Sequence, residues 1–130
     1  MSAPEDARAL LEPMLDDPGA PVRAAAAESL GQLGGGLVPE GLARASRDEF
    51  SSVRSAATAA LGFFDDPRAV DLVRNALLDP DRDTAIRAGA ALVHLSRLPV
   101  AGLSAAEAFT QAGDSWLVQR ALIFDSLGAL

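Results

Sequence analysis

A pair of oppositely charged residues recurs along this chain at a nearly constant spacing. An aspartate stands six residues before an arginine at four places, and the arginines themselves are almost evenly spaced. The pairs are Asp17 and Arg23, Asp48 and Arg54, Asp81 and Arg87, and Asp114 and Arg120. Self-similarity at a period of about 20 to 50 residues is typical of stacked repeat proteins. The spacing therefore predicts four copies of one structural unit.

Each unit has the pattern of two helices joined by a turn. In the first unit, apolar and small residues recur at helical spacing after Pro21, and the run ends at three consecutive glycines beginning with Gly34. No such pair can bury its apolar face alone, so the pairs must stack. We predict an all-α solenoid, a right-handed α-α superhelix of eight helices in four antiparallel pairs. It forms one domain over residues 1–130, with repeats at about 2–36, 37–65, 66–98 and 99–130.

The residues around the charged pairs resemble a known family. An aspartate, a short gap, Val-Arg, an alanine-rich run and Leu-Gly resemble the HEAT-like repeat, particularly the short bacterial type of phycobilisome-lyase-like proteins. Residues 17–31 and 48–62 match this pattern closely, whereas the third unit has His94-Leu95 in place of Leu-Gly and the fourth has Gln119 in place of Val. The resemblance covers nearly the whole chain and implies the solenoid fold. Such repeats serve many functions, so it does not imply one activity.

Composition narrows the classes of partner. The chain of 130 residues has a formal net charge of −7, all its basic residues are arginines, and it contains no cysteine. An acidic surface repels nucleic acid and anionic lipid, and disulfides and thiolate metal sites are excluded. The N-terminus lacks a secretory signal, and no apolar run has the length of a membrane span. We expect a cytoplasmic protein that binds neither nucleic acid nor membrane, and the bias toward Arg, Ala and Asp is typical of a GC-rich bacterium.

The chemistry-bearing residues do not form a catalytic or metal-binding pattern. Residues 79–83 carry three aspartates like the start of a calcium loop, but Thr84 and Ala90 stand where such a loop needs Gly and Glu. His94 is the single histidine and occupies the position of Leu in the other units, with no carboxylate nearby in sequence. We therefore predict no catalytic residue, no cofactor and no metal, and expect His94 to lie in the core or a groove with one hydrogen bond.

The charged pairs themselves allow two interpretations. Four arginines could line an anion site. Alternatively, each aspartate accepts hydrogen bonds from turn amides while each arginine binds a neighbouring aspartate or carbonyl, which a planar guanidinium does well. A motif present in every unit usually specifies the unit, so we favour the structural role.

Two surfaces are candidates for binding a partner. The first is the concave side of the second helices, where the register predicts small residues and projecting leucines. The second is the last helix, which has almost no polar side and could mediate a homodimer through the C-terminal hairpin. The candidate residues are Glu28, Ala59, Leu92 and Leu95 for the concave side, and Trp116, Ile123 and Phe124 for the last helix.

These observations favour a non-catalytic scaffold or adaptor that binds a protein or peptide. The alternatives are enzyme-related. Similarity to lyase-like repeats leaves open a bilin-lyase-like chaperone. A DNA-glycosylase-like HEAT enzyme is disfavoured because the chain lacks lysine and is acidic. A fragment of a longer solenoid also remains open.

Overall fold

The computed structural model describes residues 3–104, and this part of the chain is helical with no β-strand. Six α-helices and one 3₁₀ helix follow one another before residues 101–104, which are again helical. They are α1 (Ala3–Leu11), a 3₁₀ helix (Glu12–Asp16), α2 (Ala20–Leu33), α3 (Glu40–Ala45), α4 (Ser51–Leu61), α5 (Pro67–Ala76) and α6 (Arg82–Leu95). None of the helices in residues 3–104 is long and apolar enough to cross a membrane.

The helices form three consecutive pairs. The segment of α1 and the 3₁₀ helix packs on α2, α3 packs on α4, and α5 packs on α6. The second helices stack in a row, with α2 against α4 and α4 against α6. The predicted helical solenoid is thus confirmed. Most of the predicted fourth pair, including Asp114, Arg120, Trp116, Ile123 and Phe124, lies outside the described residues.

Proline and glycine set the ends of the first pair. Pro13 stands in the first turn of the 3₁₀ helix, where its missing N–H and fixed φ end the α-helical hydrogen bonding of α1. After α2, Gly34 has φ +63° and its carbonyl accepts a hydrogen bond of 2.6 Å from Arg8 Nη2. That positive φ favours glycine, so the predicted helix stop lies where the backbone requires it.

Backbone and carboxylate hydrogen bonds tie the turns of successive units together. Gly35 N–H donates to the Phe63 carbonyl at 3.1 Å, and Asp65 N–H donates to the Gly35 carbonyl at 3.0 Å. The Asp65 carboxylate accepts from Ala101 N–H at 2.7 Å, at the start of the next helical segment. The neighbouring Asp66 caps α5 and also accepts from Val38 N–H at 2.9 Å. The paired carboxylates therefore connect units rather than face a reaction centre.

The second helices approach one another closely at small residues. A Cβ added at Gly31 would lie 2.8 Å from Ala60 Cα, and one at Gly62 would lie 3.2 Å from Ala91 Cα. The same contact thus recurs one unit later. We call Gly31, Ala60, Gly62 and Ala91 the stacking seam. We call the number of residues in the sequence from Gly31 to Gly62 the repeat offset.

Buried leucines of the core recur with the same repeat offset, both from α2 to α4 and from α4 to α6. Leu30, Leu61 and Leu92 are separated by this offset, and each is at most 1 % exposed. Leu92 is therefore the structural counterpart of Leu30 and Leu61. The prediction that His94 occupies this position was wrong by two residues, because close packing at the seam, and not the spacing of the arginines, decides how α6 aligns with α4.

The corrected register moves two residues from the predicted surface into the core. Leu92 and Leu95, expected to project from the concave side, are 1 % and 0 % exposed and belong to the apolar core. That core extends from Leu15 to Ala101 as one cluster. Burying a leucine side chain contributes about 1.5–3 kcal/mol. Burial of Leu92 and Leu95 therefore stabilises the register that the close contacts at the seam impose.

Candidate functional site

Arg23 joins two units through a bidentate ion pair. Its Nε lies 2.9 Å from Asp48 Oδ2, and its Nη2 lies 3.1 Å from Asp48 Oδ1. Its Nη1 donates to the carbonyls of Asp17 and Pro18 at 2.8 and 3.1 Å. The Asp17 carboxylate accepts from Gly19 N–H at 2.8 Å within the same turn. The guanidinium thus links the turn before its own helix to the turn of the next unit.

Arg54 repeats this arrangement one unit later. Its Nε and Nη2 bind the carboxylate of Asp79 at 2.8 and 3.1 Å, and its Nη1 donates to the Asp48 and Glu49 carbonyls at 3.0 and 3.2 Å. We call Arg23, Asp48, Arg54 and Asp79 the ladder. All four side chains are largely buried, with at most 18 % of their surface exposed.

The ladder shifts the pKa values of its members so that the charged form of each side chain is favoured. Burial by itself raises the pKa of Asp48, but hydrogen bonds from Arg23 and from Phe50 N–H outweigh it, so the pKa is lowered. For Asp79, burial is likewise outweighed by hydrogen bonds from Arg54 and Asp81 N–H, and its pKa is lowered. Both aspartates therefore stay ionised in the folded protein at neutral pH.

The predicted third pair does not join the ladder. Asp79 binds Arg54. Asp81, the aspartate of the predicted third pair, instead caps α6 and accepts from Thr84 N–H at 3.0 Å and from Thr84 Oγ1 at 2.7 Å. Ala85 takes the place that Arg23 and Arg54 hold in their units, since it lies one repeat offset after Arg54. This turn contains two aspartates, so the sequence allowed two alignments of the third unit with the second. Packing selects the alignment in which Asp79 is the counterpart of Asp48.

Arg87 differs from the ladder arginines in its surroundings. It is exposed, and within residues 3–104 its side chain forms no hydrogen bond or ion pair. Arg23 and Arg54, in contrast, use both edges of the guanidinium inside the protein. The two ladder arginines are therefore not available as a shared anion site, whereas Arg87 is accessible.

The exposed side of α2, α4 and α6 forms a surface that we call the inner wall. It comprises three rows of residues spaced by the repeat offset: Ala25, Ala56 and Arg87; Glu28, Ala59 and Ala90; and Gln32, Phe63 and His94. Phe63 and His94 contact each other edge to face, with ring centroids 4.6 Å apart and planes at 66°. Alanine is the commonest residue of the wall, so a partner can approach the helices closely.

Two adjoining depressions lie on the inner wall. The larger, of about 520 Å³, lies between Glu28 and Gln32 on one side and Phe63 and Arg87 on the other. The smaller, of about 200 Å³, is lined by Phe63 and His94, by Arg87 and by the alanines of α4 and α6. Phe63 is 47 % exposed between the two depressions. Shape and exposure make this surface the candidate binding site in the described part of the chain.

The sequence prediction located this wall only in part. Glu28 and Ala59 lie on it. The alignment error of two residues put the buried Leu92 in the place of Ala90. Phe63, Arg87 and His94 were not assigned to the wall. The equal spacing of Gln32, Phe63 and His94 is visible in the sequence and would have found the third row.

The outer side of the solenoid carries exposed ion pairs. Arg44 Nη2 lies 3.2 Å from Asp16 Oδ1, and Arg68 binds Glu40. The hydrogen bond from Arg68 lowers the pKa of Glu40. In residues 3–104 no group of three His, Asp or Glu side chains is arranged to hold a metal ion.

Comparison with known protein families agrees with the architecture. The sequence model of the family described as HEAT repeats matches residues 38–124, which is more than half of the chain. A second family, described as PBS lyase HEAT-like repeat, matches residues 22–48. No curated protein has a sequence that matches this chain.

Proposed function

Because the chain belongs to the HEAT-repeat family, we propose that it is a non-catalytic scaffold that binds a segment of a protein partner on the inner wall. The observation that carries this proposal is the exposed ring of Phe63 between two depressions bordered by several alanines. An exposed aromatic side chain next to a concavity is typical of residues that dominate binding energy in protein interfaces.

The inner wall suits a peptide better than a reactive small molecule. Its depressions are open and shallow, and its polar groups lie on two helices, α2 and α6, instead of converging on one point. Small side chains let a partner's backbone or helix approach closely. The stacked helices are held in place by the ladder and the core, so the wall is preorganised and little ordering cost accompanies binding.

Peptide selection followed by a pair of matched variants tests this function. Peptides are selected from a displayed random library against the full chain, and their affinities are measured for Phe63→Ala and Leu78→Ala. Both residues are exposed and apolar, but Leu78 lies in the turn after α5, away from the wall. We expect Phe63→Ala to weaken binding about tenfold or more and Leu78→Ala to leave it unchanged. Equal affinities for the two variants would contradict the proposal.

The apolar C-terminal sequence supports a second contact within the same function. Trp116, Ile123 and Phe124 belong to a segment with few polar residues, and a homodimer through the predicted C-terminal hairpin would cover this segment. Sedimentation over a range of concentrations tests the homodimer. A mass that stays at that of one chain over the whole range excludes it.

The match of residues 22–48 to the lyase-associated repeat favours one alternative function, a bilin-lyase-like chaperone. The purified protein would then change the absorbance spectrum of added bilin. For a scaffold that binds only protein, we expect the spectrum of bilin to be the same with and without the chain.

A further inference from the structure

The arginine on the inner wall specifies what kind of segment binds there. We infer that the partner segment presents a carboxylate to Arg87, beside an apolar side chain that packs on Phe63. This inference rests on the proposed function, because it names the chemistry of the segment that occupies the same wall.

The first argument is the contrast among equivalent positions. Arg87 stands where α2 and α4 have Ala25 and Ala56, so stacking of the repeat does not require a guanidinium there. The ladder arginines are occupied by carboxylates and carbonyls of the protein, whereas the Arg87 side chain has no such partner among residues 3–104. A planar guanidinium with accessible N–H groups binds a carboxylate through two parallel hydrogen bonds.

The second argument is the place of Arg87 on the wall. It borders both depressions, as do Ala59 and Phe63. A carboxylate bound to Arg87 would therefore bring its neighbouring residue onto the exposed ring of Phe63. Apolar cover on one side strengthens the ion pair, because it keeps water away from the charges.

The third argument is the distribution of charged side chains around the larger depression. Glu28 lies on α2 across this depression from Arg87 on α6, and no ion pair joins them. A carboxylate near Glu28 would be repelled, so the segment must direct its acidic group toward α6. The net charge of −7 also disfavours a polyanion, which leaves a segment with an isolated carboxylate and apolar or basic neighbours.

Two sources can supply that carboxylate, and the experiment separates them. The carboxylate can belong to an Asp or Glu side chain, or to the C-terminus of the partner. Peptides selected on the full chain are resynthesised with the acidic side chain changed to its amide or with the C-terminus amidated. Loss of affinity in one of these peptides identifies the source, and equal affinity of both modified peptides and the parent overturns the inference.

Variants of the protein test the role of Arg87 directly. Arg97 supplies the matched control, since it is also exposed and follows α6 outside the wall. We expect Arg87→Ala to weaken binding of the parent peptide about tenfold or more, and Arg97→Ala to leave it unchanged. The variant Arg87→Glu should bind a peptide whose acidic residue is replaced by lysine better than it binds the parent. Unchanged thermal unfolding of these variants shows that the fold is intact.

The outcomes separate the two proposals. If Phe63→Ala weakens binding but Arg87→Ala and Arg97→Ala bind alike, carboxylate recognition is wrong and the wall remains a binding site. If neither Phe63→Ala nor Arg87→Ala changes the affinity for the selected peptides, both proposals fail.

Discussion

The stacking seam and the inner wall are made by the same helices, yet their residues follow opposite rules. At the seam, Gly31 and Gly62 meet Ala60 and Ala91, so the same residue types recur in successive units. On the wall, one position after Gly31 and Gly62, stand the dissimilar side chains of Gln32 and Phe63. The seam repeats because neighbouring helices must approach one another in the same way each time, whereas the wall is free to vary.

The arginines show the same contrast. Arg54 is 18 % exposed and uses its guanidinium to bind Asp79 and two carbonyls, which holds the third unit on the second. Arg87 is exposed and has no hydrogen-bond or ion-pair partner in the described part of the chain. Similar spacing along the sequence therefore hides two different environments, one inside the ladder and one on the exposed wall for which we propose recognition of a partner.

The largest expected effect is steric, at the seam. Gly31→Val should lower the free energy of unfolding by about 3 kcal/mol, because its Cβ would lie 2.8 Å from backbone atoms of Ala60 that cannot move independently. Gly36→Val is the control, as a Cβ at Gly36 meets no atom within 4 Å. Urea unfolding of both variants measures the difference, and similar losses would mean that the seam is not closely packed in solution.

Removal of a ladder arginine should have a smaller effect, and removal of the wall arginine none. We expect Arg54→Ala to cost roughly 1–2 kcal/mol, since it leaves the largely buried carboxylate of Asp79 without its charged partner. Arg87→Ala should unfold at the same urea concentration as the unchanged protein. A loss of stability in Arg87→Ala equal to that in Arg54→Ala would remove the distinction between ladder and wall.

The ladder also predicts a dependence of stability on pH. The pKa values of Asp48 and Asp79 are lowered in the folded state, so their contribution is complete above the pKa of the unfolded chain, about 3.9, and is lost as pH falls below it. Urea midpoints measured between neutral pH and pH 3 should drop most steeply below about pH 4. Asp79→Asn should make that drop shallower, and an unchanged profile would argue against the ladder as its source.

Among the ion pairs, the smallest effect is expected on the outer side. Arg68→Ala should leave the midpoint of thermal unfolding unchanged, because the ion pair with Glu40 joins two exposed side chains. A decrease comparable with that of Arg54→Ala would show that exposed pairs support the stack as strongly as the ladder does.

Much of the fold could be predicted from residue spacing. Helix ends at Gly34, Pro67 and Asp81 follow from local backbone chemistry, which a sequence carries in a few neighbouring residues. The alignment of the third unit could not be predicted this way, because Asp79 and Asp81 both fit the charge pattern. The candidate site depended on that alignment, so Arg87 was assigned to the charged pairs and Leu92 to the surface.

The sequence alone determined that this chain stacks helical pairs, since the periodic small and apolar residues leave each pair with a face that water disfavours. Tertiary structure decided which residues are exposed on the inner wall. Close contacts at the stacking seam fix the repeat offset between neighbouring helices. That offset buries Leu92 and exposes Phe63, Arg87 and His94 on one wall. The alignment of one helix on the next depends on contacts far apart in sequence, and local spacing does not contain it.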